Sequence, residues 1–249
     1  MRKVRAVLRS AFRTVKLLWT ASACLLAYLI LLLRLRRTPG HSERAHWLHG
    51  WCAVVLPRLG VDFAAEGAMP PRGLLVSNHL SYLDIMTLSA IGPCVFVSKK
   101  EVRQWPLFGL LATLAGTVYV DRQRAADALR VNEELSQALQ SGVLCVLFPE
   151  GTSSNGADVL PFRSPLLEAA VQSGDAVTAA CIRYELDEGD PAQDVCYWGD
   201  MTFLPHVLKL LSRPTIRARV RFAEESFRFE DRKEAAARTR ERVIALREG

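Results

Sequence analysis

Leu17–Leu33 runs for seventeen residues without a charge, LLWTASACLLAYLILLL. Coiled as a helix it would extend roughly 25 Å, just short of the ~30 Å hydrocarbon core of a bilayer. Ahead of it Arg2, Arg5, Arg9, Arg13 and Lys16 recur at three and four residues, opposite Val4, Leu8, Phe12 and Val15. That spacing predicts an amphipathic helix lying on a membrane surface. A cleavable leader would continue into a small-residue cleavage site, but Arg34-Leu35-Arg36-Arg37 follows, so the segment reads as an anchor. After Pro39-Gly40 a second apolar helix is predicted over about Ser42–Leu59, with Trp47, Trp51, Val54 and Val55 as interfacial or packing residues. One helix through the bilayer and two helices embedded from one side both fit. Cations at both ends of the apolar run give no orientation and tilt the reading to the embedded pair.

From residue 60 onward short apolar runs alternate with helical stretches, as in an α/β fold. Strands are predicted at Gly73–Ser77, Cys94–Ser98, Thr117–Val120, Val143–Phe148, Ala176–Arg183 and Thr215–Phe222. In the last, Ile216, Ala218, Val220 and Phe222 alternate with Arg217, Arg219 and Arg221, so one face is buried and the other solvated. Helices are predicted at Tyr82–Ala90, Pro106–Ala115, Arg124–Ser141, Pro165–Ser173, Leu204–Leu211 and Glu230–Arg247. The expected architecture is a mixed, mostly parallel sheet flanked by helices, in a unit spanning 60–249 behind an anchor at 1–59.

Charge sharpens this picture. Residues 1–42 hold nine Lys or Arg and no acid; removing those nine from the 32 in the chain leaves 23 against 26 acids, a net −3. A nucleic-acid-binding domain carries its basic surface on the folded body. Here the cations flank an apolar stretch, which suits anionic lipid headgroups. The six cysteines contain no CxxC pair and sit mostly in apolar runs, so neither disulfides nor a thiolate metal site is expected.

Candidate chemistry lies in two loops that follow predicted strands. In Leu74-Leu75-Val76-Ser77-Asn78-His79-Leu80-Ser81-Tyr82-Leu83-Asp84, one His and one Asp stand five apart. Histidine is the natural general base near neutral pH, and a carboxylate on its other nitrogen fixes the tautomer and stabilises the imidazolium. On a continuous helix the two would be turned roughly 140° apart. Contact therefore requires a strand end, a turn, and Asp84 in the first turn of the following helix. The second loop is Phe148-Pro149-Glu150-Gly151-Thr152-Ser153-Ser154, where Gly151 lets backbone approach a ligand and Thr152 offers a hydroxyl. Ligand sites in open α/β sheets gather at carboxyl ends of strands, which would bring both loops to one cleft. Between them, Gly116-Thr117-Val118-Tyr119-Val120-Asp121-Arg122 ends a strand on an arginine fork suited to phosphate.

Three blocks, Asn78-His79-x4-Asp84, Gly116-x3-Val120-Asp121-Arg122 and Phe148-Pro149-Glu150-Gly151-Thr152, resemble the glycerolipid acyltransferase family over about residues 60–225, its lysophosphatidic acid branch above all. The resemblance implies His79 as general base with Asp84 as its partner. It implies Asn78, Glu150, Gly151 and Thr152 near the acceptor, Arg122 on the substrate phosphate, and Lys100 as a second phosphate contact. It further implies an acyl-CoA or acyl-carrier-protein co-substrate, no metal or other cofactor, and a cytoplasmic membrane enzyme with a cytosolic active site. Two departures stand out. Ala179 occupies the place of a usual proline, and Arg163-Ser164-Pro165 replaces a usual Lys/Arg-x-Gly. Phe148–Leu167, together with Tyr197-Trp198-Gly199-Asp200-Met201 and His206, is similar to a bacterial subgroup that includes acylators of lyso-ornithine lipid, an alternative acceptor.

Other readings explain less. A serine hydrolase on Ser81 or Ser153 lacks the Gly-x-Ser-x-Gly elbow. A metal site on Glu43, His46 and His49 has no second ligand cluster. A non-enzymatic membrane adaptor leaves His79, Arg122 and Glu150 without a role.

Overall fold

The computed structural model describes residues 2–105, 107–120 and 125–249. Helices α1 (Arg2–Leu35) and α2 (His41–Arg58) lead into β1 (Val61–Glu66) and β2 (Gly73–Ser77). There follow α3 (Leu83–Ile91), β3 (Cys94–Lys99), α4 (Phe108–Leu114), β4 (Val118–Val120), α5 (Ala125–Gln140) and β5 (Leu144–Leu147). The chain ends with α6 (Glu168–Ser173), β6 (Val177–Leu186), α7 (Pro191–Asp194), α8 (Phe203–Ser212), β7 (Ile216–Phe227) and α9 (Arg232–Glu248). The strands form one seven-stranded sheet in the order β1-β7-β6-β2-β5-β3-β4, parallel at every pairing except β6 with β7.

The central strands β2 and β5 are buried at every position, as expected for parallel strands covered on both faces. Their side chains alternate between two cores. Leu75, Phe96, Val146 and Ile182 face the core shared with α1, α2, α3 and α8, whereas Leu74, Val95, Leu147 and Cys181 face α5, α6 and α9. All six cysteines are buried and unbridged.

Edge strand β1 was absent from the sequence-based expectation, and the sheet explains why. Val61 is its one buried residue, so its apolar signal is weak. Parallel pairing with β7 sets Asp62 and Glu66 beside the arginine row. Arg219 reaches Asp62 at 3.0 Å, Arg221 reaches Glu66 at 2.5 Å, and Arg217 pairs with Asp187 at 2.6 Å. The alternating arginines of β7 are thus neutralised by neighbours on an exposed face.

Helix α1 is continuous over 34 residues, roughly 51 Å, rather than a short surface helix followed by an anchor. It is long and apolar enough to cross a membrane. Leu17, Ala21, Cys24 and Tyr28 are buried against α2 and the body of the protein. On the opposite side Val4, Leu8, Phe12, Val15, Trp19, Leu26, Ile30 and Leu33 are exposed. At ~100° per residue these eight fall within an arc of roughly 80°, an apolar stripe that only Ser22 interrupts. Arg13 ties the helix to the body by donating to the carbonyls of Leu211, Arg213 and Pro214 at the end of α8.

Candidate active site

The segment after β2 turns sharply before α3 begins, and this turn decides the site. Asp84, in the first turn of α3, is completely buried. Its Oδ2 accepts from the backbone amides of Leu80 (2.7 Å) and Ser81 (3.0 Å), closing the turn on itself. A carboxylate there also answers the positive end of the helix dipole. The same oxygen accepts from His79 Nδ1 at 2.7 Å, and Oδ1 accepts from the Tyr184 hydroxyl at 2.7 Å. Four donors on one buried carboxylate hold it in place. With Nδ1 donating to Asp84, His79 Nε2 is the basic nitrogen left for a substrate. The imidazole lies nearly parallel to the Phe148 ring, centroids 4.2 Å and planes 14° apart.

The β5 loop meets this turn from the neighbouring strand. Gly151, at φ 75°, adopts the left-handed conformation its turn needs, with its amide on the Phe148 carbonyl. Ser154 N donates to the His79 carbonyl at 2.9 Å, and His79 N donates to Glu150 Oε1 at 3.1 Å. Glu150 is buried, with Oε2 lacking a hydrogen bond among the described residues. Burial drives its pKa up to about 8 against the lowering effect of the His79 amide, so the side chain is a neutral acid at pH 7.

A cavity of about 280 Å³ opens at His79. One side is apolar, with Leu48, Trp51 and Cys52 from α2, Ile85 and Met86 from α3, and Phe108 and Leu111 from α4. The other is polar, built from His79, Gly151, Thr152, Ser153 and the lip Tyr197-Trp198-Gly199. The lip is pinned to both loops: Tyr197 N donates to the Leu80 carbonyl at 2.8 Å, and Ser153 Oγ donates to the Tyr197 carbonyl. A third pin is buried. His206 Nε2 donates to the Cys196 carbonyl at 3.0 Å, which leaves Nδ1 to accept from the Tyr82 hydroxyl at 2.9 Å. Burial pushes the His206 pKa down, opposed by the Cys196 carbonyl, so the ring is neutral.

The residues singled out from sequence divide accordingly. His79 and Asp84 are in contact, and Gly151 and Thr152 line the cavity. Asn78 does not; it was expected near the acceptor, but its carboxamide accepts from Ile182 N (2.8 Å) and donates to Ile182 O (3.0 Å), clamping β2 to β6. Glu150 likewise faces the His79 backbone rather than the cavity. Lys100 opens an exposed 3-10 turn (Lys100–Gln104) two residues past Ser98, which does line the cavity. Arg122 lies outside the described residues. Tyr184 and Phe148 brace the dyad without any local signal in the sequence, since a buried tyrosine late in a strand and a phenylalanine ending one are ordinary core residues.

An imidazole with one nitrogen fixed by a carboxylate stands where the apolar side chains of α2, α3 and α4 meet the polar lip, an arrangement able to take a proton from a hydroxyl. The class is O-acyltransferase. The chain belongs to the acyltransferase family, whose model matches residues 63–183. The lyso-ornithine lipid O-acyltransferase of Brucella abortus is 40% identical over 187 residues, covering 70% of this chain and 70% of that enzyme. Its counterpart from Pseudomonas aeruginosa is 36% identical, covering 70% and 66%. The 1-acyl-sn-glycerol-3-phosphate acyltransferase of Neisseria gonorrhoeae is 34% identical, covering 61% and 60%. This chain thus spans about two thirds of the length of the relatives it matches. The crystal structure of the 1-acyl-sn-glycerophosphate (LPA) acyltransferase PlsC from Thermotoga maritima shares the fold, with a TM-score of 0.71 at 19% identity over 100% of this chain and 97% of that one. Activity on a lysolipid is the level on which these relatives agree.

Proposed function

We propose that the chain moves an acyl group from coenzyme A or acyl-carrier protein onto the hydroxyl of 1-acylglycerol-3-phosphate, forming phosphatidic acid on the cytosolic face of the cytoplasmic membrane. The observation that carries this reading is the His79–Asp84 contact of 2.7 Å at the mouth of the cavity. His79 Nε2 takes the acceptor proton as its oxygen attacks the thioester carbonyl, and Asp84 stabilises the imidazolium that forms. When the tetrahedral intermediate collapses, the imidazolium returns the proton to the departing thiolate. Acyl chains occupy the side lined by α2, α3 and α4, and the headgroup sits under the lip. The exposed stripe of α1 keeps the cavity at the bilayer surface, where a lysolipid enters without crossing water.

A second acceptor, lyso-ornithine lipid, is favoured by one observation. Similarity to enzymes of that name extends over 70–84% of this chain, against 46–61% for the glycerol-phosphate enzymes. Incubating the purified chain with labelled acyl-CoA or acyl-carrier protein and each lysolipid, then separating the lipid products, tests both. Labelled phosphatidic acid supports the first reading and labelled ornithine lipid the second. Hydrolysis of the thioester with no lipid acylated by either donor would sink both.

A further inference from the structure

Helices α1 and α2 do not close on each other along their length. Two indoles hold them: Trp47 Nε1 donates to the Cys24 carbonyl and Trp51 Nε1 to the Thr20 carbonyl, each at 3.0 Å. These pairs advance in opposite senses, so the helices run antiparallel and Arg58 comes to the same end as Lys16. Between them lies a cavity of about 710 Å³, open along one side, within the roughly 300–1,000 Å³ range of ligand sites. Small residues make it. Ala23 and Ala27 line it from α1 and Gly50 from α2, and a Cβ at Gly50 would meet nothing within 4 Å.

The chemistry along the groove is graded. Lys16 and Arg58 supply two cations at one end. Trp19, 76% exposed, and Val54, 48% exposed, stand one turn from these cations, and the opposite end is lined by Ala27, Trp47 and His46. Among the described residues no carboxylate lines it. An exposed indole beside cations is the composition of a membrane interface. Trp19 also belongs to the exposed stripe of α1, so the groove opens on the side turned to lipid.

We propose that this groove binds one anionic glycerophospholipid of the bilayer that is not turned over, its phosphate between Lys16 and Arg58 and an acyl chain along Ala23, Ala27 and Gly50. Trp51 lines both this groove and the cavity at His79. A lipid seated here packs on the outer side of the indole that bounds the catalytic cavity and fills the gap left between the two helices. The site is independent of which lysolipid is acylated.

Native mass spectrometry of the full chain, released from micelles doped with phosphatidylglycerol or phosphatidylcholine, tests the site by binding alone. The expected result is one retained phosphatidylglycerol, with phosphatidylcholine held at least tenfold less. The double variant Lys16→Ala/Arg58→Ala is expected to lower phosphatidylglycerol retention about thirtyfold, the effect of two interfacial cations. Gly50→Leu, a good helix former entering open space, is expected to exclude both lipids with a melting temperature no lower than that of the unsubstituted protein. Equal retention of the two lipids, or retention untouched by the double variant, overturns the headgroup assignment. Retention untouched by a folded Gly50→Leu protein overturns the groove itself.

Discussion

Replacing Asp84 by Asn isolates the charge of the dyad from its geometry. The carboxylate takes three donors on Oδ2, from His79, Leu80 and Ser81, and one on Oδ1, from Tyr184. Asparagine keeps an oxygen for the first three and turns its amide toward the tyrosine oxygen, which accepts. Alanine would instead strand three buried donors besides the imidazole, at about 1–3 kcal/mol each, and confound folding with catalysis. What Asn removes is the attraction between a buried carboxylate and the imidazolium formed during attack. At an effective dielectric of ~20, two unit charges ~4 Å apart attract by about 4 kcal/mol. A charge-assisted hydrogen bond contributes about 1.5–3 kcal/mol. A loss of about 3–4 kcal/mol, at a factor of ten per ~1.36 kcal/mol, lowers kcat roughly 10²- to 10³-fold. Since Asp84 is fully buried and reaches substrate only through His79, KM for both substrates should hold within about threefold. Release of free thiol from acyl-CoA under saturating lysolipid, read with a chromogenic thiol reagent, measures this directly. A folded Asp84→Asn enzyme keeping more than about a third of wild-type kcat would refute the charge-braced base.

Three further outcomes are expected. Glu150 is neutral in the fold and ionises near pH 8, whereas in the unfolded chain it ionises at an ordinary carboxylate pKa. Between those values the native state binds more protons than the unfolded one, so its contribution to stability falls as pH rises, by up to about 1.4 kcal/mol per unit. Melting temperature should therefore drop from pH 5.5 to 8 more steeply in wild type than in Glu150→Gln, and parallel curves would contradict the neutral assignment. Tyr184→Phe removes one hydrogen bond from Asp84 Oδ1 and leaves that oxygen buried. A destabilisation of about 1–3 kcal/mol in denaturant titration is expected, with kcat down several-fold and KM unchanged. His206→Phe unties Tyr82 and Cys196 and frees the lip. KM for the lysolipid should rise about tenfold while KM for the acyl donor stays, and the reverse pattern would move the lip to the donor side.

Much of the molecule was legible one residue at a time. The runs Leu74–Val76, Cys94–Val97 and Leu144–Leu147 are apolar at every position because parallel strands are covered on both sides. The alternating arginines of β7 announced a half-solvated strand. The His79–Asp84 spacing, impossible on one helix, required the turn that the structure contains. Sequence also set the charge layout of α1, since cations without acids in residues 1–42 follow from composition alone.

Long-range pairing decided the rest. Edge strand β1 forms because β7 offers it a parallel backbone ladder with arginines beside its acids, and six residues with one buried position carry no such information. Tyr184 reaches Asp84 from 100 residues away and His206 reaches Tyr82 from 124, distances over which local pattern says nothing. Asn78 looked like a ligand-facing residue beside the histidine, yet the sheet brings Ile182 against it and uses both ends of its carboxamide. Glu150 was expected near the acceptor, yet the fold sets its carboxyl on the His79 amide, and burial makes it neutral. A side chain's type is fixed by the sequence, but its protonation and its partner depend on the dielectric and the neighbours that packing supplies.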